Sequence, residues 1–288
     1  MGGISDSPRS VCSSNLSDDD QLALDPSTQA LLDLFLANKA DEERRFQELE
    51  QAARLQLEGI GLEDEDADED LLMRLNAAAA RPMVSVSEFK KAFSEDWQLS
   101  QFWYEDQYAN RLARATHGMC SEDTKVAFLS CPTAFVAFQH AHPLRNAKLF
   151  EYDERFAVLA PKQFVFYDLD DLEGTLGDTW KEHFDFVMAD PPFINEVTNI
   201  KLANAVSKIL RPGGKFLLQT SVHMEDTGVL QKVYGTKPPL GPLVRTAFEV
   251  EHKQLANEFA SWGNWEGADL FGKGDDESDG EENPEPKG

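Results

Sequence analysis

Basic residues are what this sequence most lacks: 27 Lys and Arg stand against 52 Asp and Glu, a formal net charge of -25. Affinity for a phosphate backbone comes largely from Lys and Arg displacing condensed counterions, so the balance weighs against nucleic acid as a substrate and favours a basic protein partner. A local basic groove is still compatible with it. Cysteine is scarce too. Cys12, Cys120 and Cys131 form no CxxC pair and no His/Cys ligand spacing, which points away from a metal site or a disulfide framework and toward a reducing compartment. No apolar run approaches the roughly 20 residues that a membrane helix needs. The first residues show no signal-peptide core, and position six is Asp6 where a myristoylation signal following Gly2 has Ser or Thr. The expectation is a soluble cytoplasmic protein, compatible also with the nucleus, with no metal and no membrane partner.

The acidic excess is uneven. Residues 1 to 87 hold nineteen acidic against seven basic side chains, residues 88 to 270 twenty-six against eighteen, and the last eighteen residues seven against two. The middle is therefore the globular part, and 41% hydrophobic residues suffice for a sizeable core. Residues 1–26, rich in Ser and Asp, are expected to be disordered because they offer little apolar surface to offset ordering entropy. Residues 27–87 read as a helical segment plus an acidic linker. Leu31, Leu32, Leu34, Phe35, Phe46, Leu49 and Leu57 recur at helical spacing behind Asp25, Pro26 and Ser27, which predicts one or two helices docking on the core or on a partner. Glu63 to Asp70 is the linker, and residues 272–288 form an acidic tail.

Residues 88–271 alternate short apolar runs with helical patterns, the mark of a sheet built from βαβ units. Candidate strands are Lys125 to Cys131, Lys148 to Tyr152, Phe164 to Tyr167, Phe184 to Ala189 and Lys215 to Thr220, near-continuously apolar as strands covered on both faces require. A helix is predicted over Thr198 to Leu210, stopped by Pro212-Gly213-Gly214. Leu243 to Glu251 and Asn257 to Trp265 are two closing strands joined tightly at His252 to Ala256. The reading is an α/β, Rossmann-like, seven-stranded and mostly parallel sheet with helices on both faces.

Ligands of such a sheet bind past the carboxyl ends of the strands, near the point where strand order reverses. After the first strand stands Ser130-Cys131-Pro132-Thr133, without the glycines of a dinucleotide loop. The second strand ends in Glu151, either a partner for a ribose diol or an exposed acidic turn. The third ends in Asp168-Leu169, where the acid either accepts from an adenine amino group or forms a turn. The fourth ends in Asp190-Pro191-Pro192-Phe193. Two prolines make that loop rigid and remove two N–H donors, so carbonyls and the Asp carboxylate form a cluster of acceptors suited to an amine. Phe193 offers a ring face to an amine-bearing group or to a cation.

Together these features resemble the class I methyltransferases, and Asp190 to Phe193 resembles the signature of those that methylate amino nitrogens. Asp96-Trp97-Gln98-Leu99-Ser100-Gln101-Phe102-Trp103-Tyr104, Phe150 to Phe156 and Leu255 to Phe259 are similar to blocks of the eukaryotic translation elongation factor 1A lysine methyltransferases, a family formerly regarded as N6-adenine DNA methyltransferases. The resemblance covers roughly residues 88 to 266, with a weaker echo at Gln29 to Phe35. It accounts for the missing glycines, since that family carries a Ser/Ala/Pro loop there. The acidic insertion between Gln47 and Ser87 and the acidic tail depart from it.

The resemblance implies S-adenosyl-L-methionine as cofactor and elongation factor 1A as protein substrate. It places Phe102, Trp103 and Tyr104 at the methionine end of the cofactor, although an aromatic cluster sealing the sheet edge is an equal reading. Ser130 and Pro132 match the cofactor loop, Glu151 the ribose site, Asp168 and Leu169 the adenine site, and Asp190, Pro191, Pro192 and Phe193 the catalytic acceptor site. Asn257, Glu258 and Phe259 match without a chemical role. The rivals are a nucleic-acid N6-adenine methyltransferase and an inactive methyltransferase-like binding module.

Overall fold

The computed structural model describes residues 25–58, 82–235, 237, 240–250 and 258–274. The chain divides into two compact units, Met1–Ala40 and Asp41–Gly288. Of the disorder expected over residues 1–26, residues 1–24 lie outside the described residues while Pro26 already opens a helix, and the linker at Glu63 to Asp70, the connection at His252 to Ala256, Asn257 and the tail beyond residue 274 lie outside them too.

One helix, α1 (Pro26–Glu58), takes the place of the one or two expected. Asp25 caps it, accepting from the Thr28 amide at 3.1 Å. In its first part Leu31, Leu32, Leu34 and Phe35 are exposed, as is Leu57 near its end. Within the second unit Leu49 and Ala53 are buried and Phe46 meets Phe93 edge-on at 5.8 Å. Phe46, Leu49 and Ala53 are spaced three and four apart and so share one face.

The sheet has seven strands in the order β3-β2-β1-β4-β5-β7-β6. They are β1 (Val126–Leu129), β2 (Ala147–Glu151), β3 (Phe164–Phe166), β4 (Phe184–Ala189), β5 (Leu210–Ser221), β6 (Val244–Val250) and β7 (Phe259–Gly263). β1 to β5 run parallel, with Val126 beside Ala147 on one side and Phe186 on the other. β7 is antiparallel to β5 and β6 antiparallel to β7. β5 begins earlier than expected: the helix before it ends at Ile209 and Leu210 already pairs with Phe184. Gly213, at φ +76, then lets Pro212-Gly213-Gly214 turn within the β5 span, where the register shifts.

Each central strand feeds two cores. Phe128, Leu149, Phe186, Met188 and Leu217 point to one side with α2 (Val86–Ala92), α3 (Asp106–His117) and α4 (Pro132–Ala141). Ala127, Leu129, Phe150, Val187 and Leu218 point to the other with α6 (Glu196–Ile209) and α8 (Val229–Val233); two short helices are α5 (Leu172–Thr175) and α7 (Val222–Asp226). Alternate side chains serve opposite cores, which is why the strands read as continuous apolar runs. Strand order reverses between β1 and β4, so their carboxyl ends open a crevice there.

Candidate active site

That crevice holds a cavity of about 390 Å³, within the roughly 300–1,000 Å³ usual for ligand pockets. Phe102, Trp103, Tyr104, Ser130, Pro132, Glu151, Asp168, Leu169 and Asp190 to Phe193 all line it. The sequence residues singled out are thus brought to one place.

At the end of β1, Ser130 adopts φ 53, the left-handed region that glycine favours. Its amide donates to the Phe150 carbonyl at 2.9 Å, locking β1 to β2, and Pro132 opens α4 two residues later. A serine thus takes the left-handed turn between β1 and α4, and a proline starts the helix in its first turn. Cys131 beside it is buried, which pushes its thiol well up, away from the thiolate.

Glu151 at the end of β2 is only 6% exposed, so the reading of an exposed acidic turn does not hold. Burial pushes its carboxyl up to about 8; amide donors from Asp153 and Tyr152 pull the other way, and the charges of Asp153 and Asp190 push further up. Asp153, two residues on, forms an ion pair with Arg155 at 2.7 Å and accepts from Gln101 Nε2 at 3.1 Å. At the end of β3, Asp168 does form a turn, its Oδ1 accepting from the Asp170 amide at 2.7 Å, while also lining the cavity. The two readings of that residue are compatible because a carboxylate has acceptor capacity to spare.

At the end of β4 the Asp190 amide donates to Leu129, continuing the ladder. Its half-buried carboxylate accepts from Tyr104 Oη at 2.6 Å. Burial raises the Asp190 carboxyl to about 7, and the tyrosine's hydrogen bond opposes the rise. Pro191 and Pro192 follow, and Phe193, at φ 58, stands 52% exposed at the cavity mouth. Its amide donates to Ser100 Oγ at 3.3 Å and its carbonyl accepts from the Asn195 amide at 3.0 Å.

The aromatic block before α3 divides its labour. Phe102 lines the cavity and meets Trp97 edge-on at 4.8 Å. Trp103 reaches the cavity but is 7% exposed, donates its indole N–H to the Phe93 carbonyl at 2.8 Å and packs on Phe89 and Phe156. Trp103 is thereby part of the core cluster on the α2 side of the sheet.

Sequence reasoning assigned no role to Ser100, Gln101, Thr133, Tyr152 or Tyr167, which line the same cavity, nor to Phe259, which also lies on its wall. Tyr167 closes the third expected strand, and among the described residues its buried hydroxyl has no hydrogen-bond partner, which leaves it able to pair with a ligand. An acidic residue directly after a strand tyrosine was the available signal. Among the described residues no cluster of three or more His, Cys, Asp or Glu is placed to hold a metal, and no helix is long and apolar enough to cross a membrane.

A family model described as probable N6-adenine methyltransferase matches residues 95–267. A protein-lysine N-methyltransferase of Caenorhabditis elegans is 34% identical over 185 residues, covering 60% of this chain and 79% of its own length. One of Dictyostelium discoideum is 30% identical over 209 residues, covering 71% and 95%. EEF1A lysine methyltransferase 1 of Mus musculus is 35% identical over 176 residues, covering 60% and 76%. With the strand order and the site at its reversal point, these matches establish that the chain belongs to the probable N6-adenine methyltransferase family, together with these protein-lysine N-methyltransferases.

Proposed function

We propose that the protein is an S-adenosyl-L-methionine-dependent protein-lysine N-methyltransferase acting on translation elongation factor 1A in the cytoplasm. The observation that carries it is the Asp190 carboxylate, held by Tyr104 on the wall of the cavity that also contains Glu151 and Asp168. A relative named for EEF1A lysine methylation supports the substrate, and the net charge of -25 supports protein over nucleic acid.

The residues present fit the cofactor. Glu151 offers a water-shielded acceptor for a diol, Asp168 and Leu169 an acceptor beside an apolar wall for adenine, and Tyr167 an unpaired hydroxyl. Ser130 and Pro132 shape the wall next to Glu151, and Phe102, Trp103 and Tyr104 border the methionine end. When bound, the cofactor supplies an electrophilic methyl group on a positively charged sulfur.

The chain's task is to present a neutral amine in line with that methyl group. A free lysine, with a pKa of about 10.4, is neutral about once in 2,500 at pH 7, a handicap of roughly 4.6 kcal/mol. Passing its proton to an ordinary carboxylate of pKa about 3.9 costs about 9 kcal/mol, whereas a carboxyl near 7 makes the same transfer cost about 5. Asp190 orients the amine through its acceptor oxygens and, raised by burial, is also a usable proton acceptor. The carbonyls of Pro191 and Pro192 add acceptors, and Phe193 flanks the amine-bearing chain.

Incubation with labelled S-adenosylmethionine and cell lysate tests the reading. Label is expected in one abundant band of the size of elongation factor 1A, resistant to nuclease and lost with protease. Asp190→Ala should lower turnover on the order of 100-fold with cofactor affinity within a few-fold. Glu151→Ala should instead weaken cofactor binding by about 1 to 3 kcal/mol in calorimetry. Label in N6-methyladenine and none in protein would replace lysine by a nucleic-acid substrate.

A further inference from the structure

We infer that Ser100 is a positioning residue for methyl transfer: its hydroxyl holds Phe193 in the left-handed conformation and withdraws the one amide donor that the Phe193 end of the acceptor loop would otherwise present. The inference rests on the function proposed above and concerns a residue that does not itself touch the reacting atoms.

Four non-glycine residues have positive φ among the described residues, and two of them, Ser100 at 56 and Phe193 at 58, are hydrogen-bonded to each other across 93 positions of sequence. Bulky side chains rarely adopt that conformation, and residues held in it concentrate at functional sites where surrounding structure enforces them. The enforcing contacts are visible. Asn195 donates to the Phe193 carbonyl at 3.0 Å, and the Phe193 amide donates to Ser100 Oγ at 3.3 Å.

The electrostatics give the second bond a purpose. Pro191 and Pro192 have no N–H, and the Asp190 amide is spent on Leu129. The Phe193 amide is therefore the remaining backbone donor of this four-residue loop. A site that must accept hydrogens from an amine gains nothing from a donor beside its carboxylate. Ser100 takes that donor up, leaving acceptors to face the amine.

Ser100 is itself held in place. Asp96 and Gln101 exchange backbone hydrogen bonds at 2.9 and 3.3 Å, and Asp96 Oδ1 accepts from the Gln98 amide at 2.8 Å, closing a tight turn. Gln101 then reaches Asp153 just past β2, at 3.1 Å. The turn at 96–101 is anchored at the β2 end of the crevice through Gln101 and at the β4 end through Ser100, which places the Phe193 clasp on a fixed support.

Ser100→Gly is the discriminating variant, because glycine keeps the left-handed backbone while losing the CH2OH side chain that accepts from the Phe193 amide. With labelled S-adenosylmethionine and purified elongation factor 1A, kcat is expected to fall about 10- to 100-fold, the scale of a catalytic group displaced by an ångström or so. Cofactor affinity, measured by calorimetry, should stay within two-fold, which also verifies folding. In a Phe193→Ala background the same change should cost less than in the wild type, since there is no ring left to position and only the freed residue-193 amide still counts. A kcat within two-fold of wild type, a matching loss of cofactor affinity, or full additivity with Phe193→Ala would overturn the inference. Absence of transfer by the wild-type protein would instead overturn the proposed function, so the two failures are distinguishable.

Discussion

Asp190 and Glu151 titrate far from ordinary carboxylates, and the sign of that displacement reaches beyond catalysis. Their folded values of about 7 and about 8 lie above the ordinary 3.8 and 4.5. Between those limits the folded chain binds more protons than the unfolded one. The stability they contribute is fully present below about pH 4 and is lost as pH rises through 7 and 8. Asp190→Asn keeps an acceptor for Tyr104 and cannot ionise. Denaturant titration of the cofactor-free protein should find it more stable than wild type by about 1 to 3 kcal/mol at pH 8, with the advantage gone at pH 4. An advantage independent of pH would mean that the carboxylate is not strained by burial.

Helix α3 is the element that delivers a donor to Asp190. Tyr104 lies just before it, and Tyr108 in its first turn stacks edge-on against Tyr104 at 5.1 Å and donates to Gln219 of β5 at 2.6 Å. The start of α3 is thereby pinned to the sheet beside β4. Because the Tyr104 hydroxyl lowers the Asp190 value, Tyr104→Phe should raise it further. The acidic limb of the kcat/KM profile should then move up by about 1 pH unit, the equivalent of one hydrogen bond to a charged acceptor. A profile that only drops in height, with its limb unmoved, would show that Tyr104 acts through packing alone.

At the scale of the molecule, charge governs encounter. A net charge of -25 attracts a basic partner over distances set by the Debye length, about 10 Å at 0.1 M salt and about 30 Å at 0.01 M. The association rate with elongation factor 1A, followed by stopped flow, should fall roughly 10-fold or more across that range. The methylated site and kcat at saturating substrate should stay the same if, as proposed, the acceptor site at Asp190 to Phe193 selects the lysine. Deleting residues 272 to 288 should flatten the salt dependence. A rate indifferent to salt would leave the acidic excess without a part in docking.

What the sequence by itself determined is what depends on near neighbours or on covalent geometry. β4 is found where the apolar run predicts it and β1 to β3 within a residue or two at each end, because both faces of each strand had to be covered. The stiffness and donor-poor character of Asp190-Pro191-Pro192-Phe193 follow from the proline ring itself. Only the tertiary structure decided the rest. Glu151 reads equally well as an exposed turn until its burial is known, and Ser100 stands inside the block 96–104 with no role of its own. The physical reason is the same in each case: burial, and contacts such as Tyr104 with Asp190 and Ser100 with Phe193, join residues 86 and 93 positions apart. They exist because the order of strands brings the ends of β1, β2 and β4 together, whereas local spacing constrains only residues within a turn or a strand.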